Sequence, residues 1–239
     1  SATLIGSVTP TPFQANCTPP IAGTTFLPDG SGVSYSTSIV VDCYGSSQNV
    51  TSATDIGNVC VNMEHSYMGD LSLTLKCPNG QTVALLTYPT GGGSANLGIP
   101  WATATVDGSS GTTTPGVGSN YCFSMSAALN MTAAIVTGAT FTNGNGPGTY
   151  TDSYVPAGTY LPVGNFSGLV GCPLNGSWTI VVTDNLGSDN GNIFGWDVNF
   201  NTVVPPSQSF TPTIVSQTWS GANITSTAGN NAVITPTAT

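Results

Sequence analysis

Apolar and polar residues alternate along several long stretches of the chain, the period-2 pattern of strands that bury one face. Val33, Tyr35 and Thr37 run into Ile39 and Val41, and Val59, Val61, Met63, His65 and Tyr67 share a second face. Leu71, Leu73 and Leu75 make the next inward face, and Thr82 to Leu86 is a short apolar run of the kind buried on both sides. The two clearest strands come late. Trp178, Ile180 and Val182 alternate in one and Phe194, Trp196, Val198 and Phe200 in the other, with the turn signal Asn190-Gly191 between them. The pattern predicts an all-β sandwich of about eight strands from Phe26 to Phe200, in a domain spanning 26–202. A helix is expected only over Ser124 to Val136, where the Ala and Leu residues lack clean caps.

The flanks read differently. Residues 1–25 are rich in Pro and Thr and are expected to form a lead-in. Residues 203–213 carry Pro205, Pro206 and Pro212, a stiff linker composition. Residues 214–239 alternate like two or three strands and are too few to bury a core alone. They are expected to open a truncated second domain, or to pack as a tail on the first domain or on a neighbouring chain. Residues 89–120 form a long Gly/Thr-rich excursion, of the kind that is functional or held down by a disulfide or metal.

Charge narrows the function classes. Ten acids face one cation, Lys76, with no arginine, for a formal charge of −9 over 239 residues. Nucleic acid and anionic lipid need several Lys or Arg to neutralise phosphate, so neither is an expected partner. His65, the one histidine, excludes His-pair metal motifs and leaves any Ser/His/Asp triad a single base. It falls on the inward parity with Met63 and Tyr67 just before a turn, where a neutral imidazole would satisfy loop backbone groups, and no nucleophile elbow accompanies it. No apolar stretch reaches the about 18 residues of a spanning helix, and no signal peptide opens the chain, so the given form reads as mature or excised.

The six cysteines, Cys17, Cys43, Cys60, Cys77, Cys122 and Cys172, are scattered without metal-ligand spacing and point to three disulfides in an exported protein. Fifteen connectivities are open. The favoured set is Cys17 to Cys43, Cys60 to Cys77 and Cys122 to Cys172. Its middle pair carries a difficulty, because Cys60 has outward parity while Cys77 shares parity with the inward leucines.

Two stretches carry a resemblance: NVCVNMEHSYMGDLSLTLKCPNGQTVALL (58–86) and CPLNGSWTIVVTDNLGSDNGNIFGWDVNF (172–200). The order of H-x-x-x-G-D-L, L-x-L-x-x-P-x-G, G-x-W-x-I-x-V-x-D and a closing W-x-V strand resembles the P domain (P/Homo B), the β jelly-roll that accompanies subtilisin-like proprotein convertases. The Cys-bearing form, with CVNMEHSYMGDL, LGIP, YC and GCPLNGSW, is similar to that of large secreted surface proteins of gliding Bacteroidetes, although Asn120 stands where that version tends to have an aspartate. There such modules sit among Ig-like repeats, and TWSGANITSTAGNNAVITPTAT is similar to the start of one.

The resemblance implies a jelly-roll without catalysis of its own: a module of a secreted or cell-surface adhesin or filament-like protein, with Ig-like domains of the same precursor, another chain, or a surface polysaccharide or protein as partners. The alternatives are a carbohydrate-binding module presenting Trp101 from the excursion, and a regulatory domain of an extracellular subtilisin-like protease. Calcium is the expected cofactor. Lys76 serves at most one of ten acids, so clustered carboxylates need an added cation, and calcium takes oxygen ligands. Asp70 is the first expected ligand, then Asp184, Glu64 and Asp189, with Asp29 and Asp107 behind them.

Overall fold

A computed structural model of the chain describes residues 5–10, 17–18, 20–27, 34–89, 91–101, 113–142, 149–187, 189–201, 214–228 and 231–235. In chain order the strands are β1 (Ile5–Pro10), β2 (Ile21–Leu27), β3 (Ser34–Val41), β4 (Ile56–His65), β5 (Leu71–Lys76), β6 (Thr82–Leu86), β7 (Asn96–Leu97), β8 (Ser119–Phe123), β9 (Val136–Thr142), β10 (Thr149–Val155), β11 (Gly158–Tyr160), β12 (Gly176–Asp184), β13 (Gly191–Phe200), β14 (Ile214–Ser220), β15 (Ile224–Ala228) and β16 (Asn231–Ile234). No α-helix occurs among the described residues. The segment expected to be helical runs instead through turns and a single 3₁₀ turn, Thr132–Ala134. Local side-chain bonds compete with the helix there. Ser124 Oγ accepts from the Ser126 N–H and Asn130 Oδ1 from the Ala133 N–H.

Asn16–Ser207 form one compact unit, a sandwich of two sheets. The smaller sheet has the order β3-β12-β5-β6. The larger runs β11-β8-β4-β7-β10-β9, with β13 on the other side of β4 and β2 beyond β13. Of the positions read from the alternation, Val61, Met63, Leu71, Leu73, Leu75, Trp178, Ile180, Val182, Trp196 and Val198 are buried in the core between them. Each large aliphatic side chain so buried contributes about 1.5–3 kcal/mol.

The parity of β13 is broken by a bulge. Its register shifts between Ile193 and Gly195 against both β2 and β4. A bulge adds one residue and turns the following side chains over, so Ile193 and Trp196 both face the core while Phe194 does not. Strict alternation placed Phe194 with Trp196 because nothing in the sequence but Gly195 marks the extra residue.

The flank boundaries also move. Ile21–Leu27 is an edge strand of the larger sheet, so the boundary expected at residue 26 falls inside it; its middle is exposed, which hid it from a search for buried faces. The other unit comprises Ser1–Ala15 and Gln208–Thr239, in which β1 pairs antiparallel with β14 and β15 with β16. Residues assigned to the lead-in thus supply a strand that pairs with the C-terminal segment.

The disulfides are Cys17–Cys43, Cys60–Cys122 and Cys77–Cys172, so two of the three favoured pairs are corrected. Strand pairing gives the reason. Cys60 lies directly opposite Cys122 in the β4–β8 ladder, with Cα atoms 3.9 Å apart, while Cys77 leaves β5 on the core side and reaches Cys172. Peptide mapping under non-reducing conditions should recover Cys60 linked to Cys122, and a Cys60–Cys77 peptide would refute this arrangement. Replacing Cys77 and Cys172 together with Ser should cost about 2–5 kcal/mol in denaturant unfolding.

Candidate functional site

His65 ends β4 and Asp184 ends β12, so the register of the two sheets brings them together at one end of the sandwich. His65 Nε2 donates to Asp184 Oδ2 at 3.1 Å, and Nδ1 accepts the Tyr67 backbone N–H at 3.0 Å. An acceptor at Nδ1 must be bare, so the geometry holds the neutral Nε2–H tautomer. Both residues are wholly buried. Gly191 lets the imidazole pack here, since a Cβ at that position would run into the His65 ring. Burial disfavours the imidazolium, but the Asp184 bond and the charges of Asp184, Glu64 and Asp189 outweigh it and raise the His65 pKa. The Tyr67 N–H opposes that pull, because a protonated Nδ1 would face a second donor.

Two loops close this end. The Ser66–Asp70 turn is tied to the 91–95 loop by Met68 N–H to Ala95 and Gly69 N–H to Gly93, both 2.9 Å. It is tied to the 185–190 loop by Ser66 N–H to the Asn190 carbonyl, and by the Asn185 backbone and side-chain N–H groups to the Asp70 carbonyl at 3.0 and 2.8 Å. Asn185 was not among the expected site residues; its position directly after the strand-end Asp184 was the available signal.

Asp189 in this loop lies near Asp70, whose carboxyl acts on it to raise its pKa. Two carboxyl groups held near each other favour keeping a proton on one of them. The Asp189 pKa is pushed up to about 7, by burial first and by Asp70 and Asp184 besides, against the downward pull of His65. Asp184 Oδ1 also accepts the Leu186 N–H at 3.3 Å, so both its oxygens are engaged by the protein.

The other expected ligands part from this group. Glu64 has the opposite parity to His65, and its Oε1 accepts from Asn192 Nδ2 at 2.8 Å and the Gly116 N–H at 3.4 Å. It belongs to the outer side of the larger sheet. Asp29 and Asp107 lie outside the described residues. Trp101 is partly buried at the edge of the described part of the excursion. Among the described residues no three His, Cys, Asp or Glu side chains stand as a ready metal cage. Asn96 was missed altogether. It is fully buried on β7, next to Ala95, and neither amide atom has a partner among the described residues.

Residues 57–114 match the family model of the proprotein convertase P-domain. The matched span holds His65, Asp70 and Asn96, while Asp184 and Asp189 lie outside it. No curated protein matches the chain.

Two outcomes are expected. Replacing His65 with Leu removes the donor to a buried carboxylate and should cost about 3–5 kcal/mol, whereas Asp184→Asn, which keeps a hydrogen-bonding side chain, should cost less. In chelator, stability should fall as pH rises from about 5 to about 8. A carboxyl whose folded pKa is raised binds more protons folded than unfolded, so its contribution is present below the unfolded value of about 3.9 and lost as pH climbs through 7. The raised His65 pKa acts in the same direction, its contribution being lost as pH climbs through the folded value. Melting curves of Asp189→Asn should show a shallower slope; a slope equal to the parent's would exclude Asp189 as its source.

Proposed function

We propose that this chain is a non-catalytic, calcium-stabilised module of a secreted or cell-surface protein, holding neighbouring domains of an adhesin-like or filament-like assembly in place. The observation that carries the reading is His65. It is the chain's one histidine, it is 0 % exposed, and both ring nitrogens are bonded within the fold, so it is spent on structure and has no face for a substrate. The P domain is an accessory domain of the convertases, which fits a module that supports its neighbours. Three disulfides suit an oxidising compartment outside the cytosol. The partners proposed are Ig-like domains of the same precursor.

Calcium fits the rim by its donor chemistry. Asp70 and Asp189 offer two neighbouring carboxylates whose repulsion a proton or a cation relieves, and calcium accepts the amide and carbonyl oxygens that make up the rest of its shell. Asn96, with an orphaned buried amide on the strand beside the Ser66–Asp70 turn, is the third donor proposed. Asp184, bonded by His65 and Leu186, is proposed as a support of the rim rather than as a member of the set. The residues that would bind the ion are thus Asp70, Asp189 and Asn96, and its contribution would be to replace that proton and lock the two loops together.

Calcium at a hundredfold excess over its Kd should stabilise the fold by about 2.7 kcal/mol. The melting temperature should drop in chelator, recover with calcium and not with magnesium, and respond more strongly at pH 8 than at pH 5, because the ion competes with the proton held by the Asp70 and Asp189 pair. Asp70→Asn with Asp189→Asn should abolish the response. A melting curve that ignores both chelator and calcium would refute the calcium assignment.

A further inference from the structure

The sandwich is open along one side, between the edge strands of its two sheets. β2 ends the larger sheet beyond β13 and β3 ends the smaller sheet beyond β12, and neither has a second strand beside it among the described residues. The opposite edge of the smaller sheet is closed by the chain itself, since the Val163 and Gly164 N–H groups donate to the Leu85 and Ala84 carbonyls of β6 at 3.1 and 2.8 Å. A cavity of about 490 Å³ lies between β2 and β3, lined by residues 21–26 and 34–37. The Cys17–Cys43 disulfide joins the chain just before β2 to the chain just after β3 and so ties the two edges together.

Positions of core parity are left uncovered in this cleft. Tyr35 and Thr37 pair with Val182 and Ile180, which are wholly buried, yet both are partly exposed. Further along β3, Ile39 and Val41 have the same parity and are buried. Across the gap Thr25 pairs with the buried Ile193 and is itself exposed. Directly paired residues share a face, so all three side chains lie on the core side of sheets that do not close over them. Natural edges are guarded by charge, proline or a bulge. β2 has a bulge, where its register against β13 shifts. β3 has none of these: SYSTSIVV follows β12 without a shift from Ser34 to Val41.

We propose that the cleft receives one extended strand of a partner polypeptide, which hydrogen-bonds to the open backbone edge of β3 and lays alternate side chains on Tyr35, Thr37 and Thr25. Charge sets the partner's chemistry. No residue lining the cavity is charged, so a charged side chain buried there would lose water without gaining a counter-ion. The strand itself is therefore uncharged, with apolar side chains on its inward face. The receiving chain carries −9, so Lys or Arg flanking the strand complements it. A second copy fits less well, because it brings another −9, and edge-to-edge pairing of two β3 strands would leave both clefts unfilled. No residue of the calcium rim lines the cavity, so the proposal stands apart from that reading.

The test is a ¹⁵N–¹H NMR titration of the whole chain with four synthetic peptides, each with two lysines at either end and four Thr-Z pairs between them, Z being Ala, Val, Leu or Phe. At least one should bind saturably and slow amide exchange along β3. The same peptide N-methylated at every Thr and Z, which keeps its side chains and loses its backbone donors, should bind at least tenfold more weakly. So should the unmodified peptide to Thr25→Lys, which puts a charge into the cleft at an exposed position and should leave the melting temperature unchanged. The N-methylated peptide keeps the test decisive if Thr25→Lys fails to fold. Binding by none of the four peptides, slowed exchange centred away from β3, equal affinity of the N-methylated peptide, or undiminished affinity in a folded Thr25→Lys would each overturn the proposal. Self-association of the chain through β3 would overturn it as well, in favour of a second copy.

Discussion

The hydrogen bond from His65 to Asp184 is what the rest of the rim is arranged around. It joins β4 of one sheet to β12 of the other at the point where both strands end. A carboxylate as buried as Asp184 needs a donor, and a protein whose one Lys/Arg cation is Lys76 has few to offer. A neutral imidazole answers this without adding charge. Its other nitrogen then takes the Tyr67 N–H, so one ring satisfies a buried acid and starts the turn that carries Asp70.

The scarcity of cations explains how differently the acids are treated. Burial raises Asp55, but the Thr51 and Ser52 donors outweigh it and hold its pKa below the usual range. The carboxylate caps a 3₁₀ turn through N–H bonds of 2.7 and 3.1 Å. Glu64 is met by an amide and a backbone N–H. Asp189 instead has Asp70 as a neighbour, which pushes its pKa up. A pair of neighbouring acids opposes stability as pH rises unless a cation replaces the proton, and that is why the rim, among all the acidic positions, is the one proposed for calcium.

Much of the sandwich was legible because its strands bury one face and expose the other: Leu71, Leu73 and Leu75, or Trp178, Ile180 and Val182, name the core without further help. Asp70, Asp184 and Asp189 were legible as strand-end acids. What escaped was set by pairing. Cys60 opposite Cys122 is a matter of which strand lies beside β4, and alternation within a strand carries no such information. Edge strand β2 exposes most of its residues and so lacks a buried face to read. The sorting of Glu64 away from Asp70 follows from its parity, whereas Asn96 lies on a strand of two residues, too short for alternation to mark.

The most direct measurement is a long-range ¹⁵N–¹H correlation spectrum of the imidazole, which needs no assignment because the chain has one histidine. The rim as described requires Nε2 to carry the proton and Nδ1 to be bare, with slow exchange of the Nε2 proton in the buried site. That pattern should persist in calcium at mildly alkaline pH and be lost in Asp184→Ala. An Nδ1–H tautomer, or the averaged signals of a solvent-exposed ring, would contradict the account.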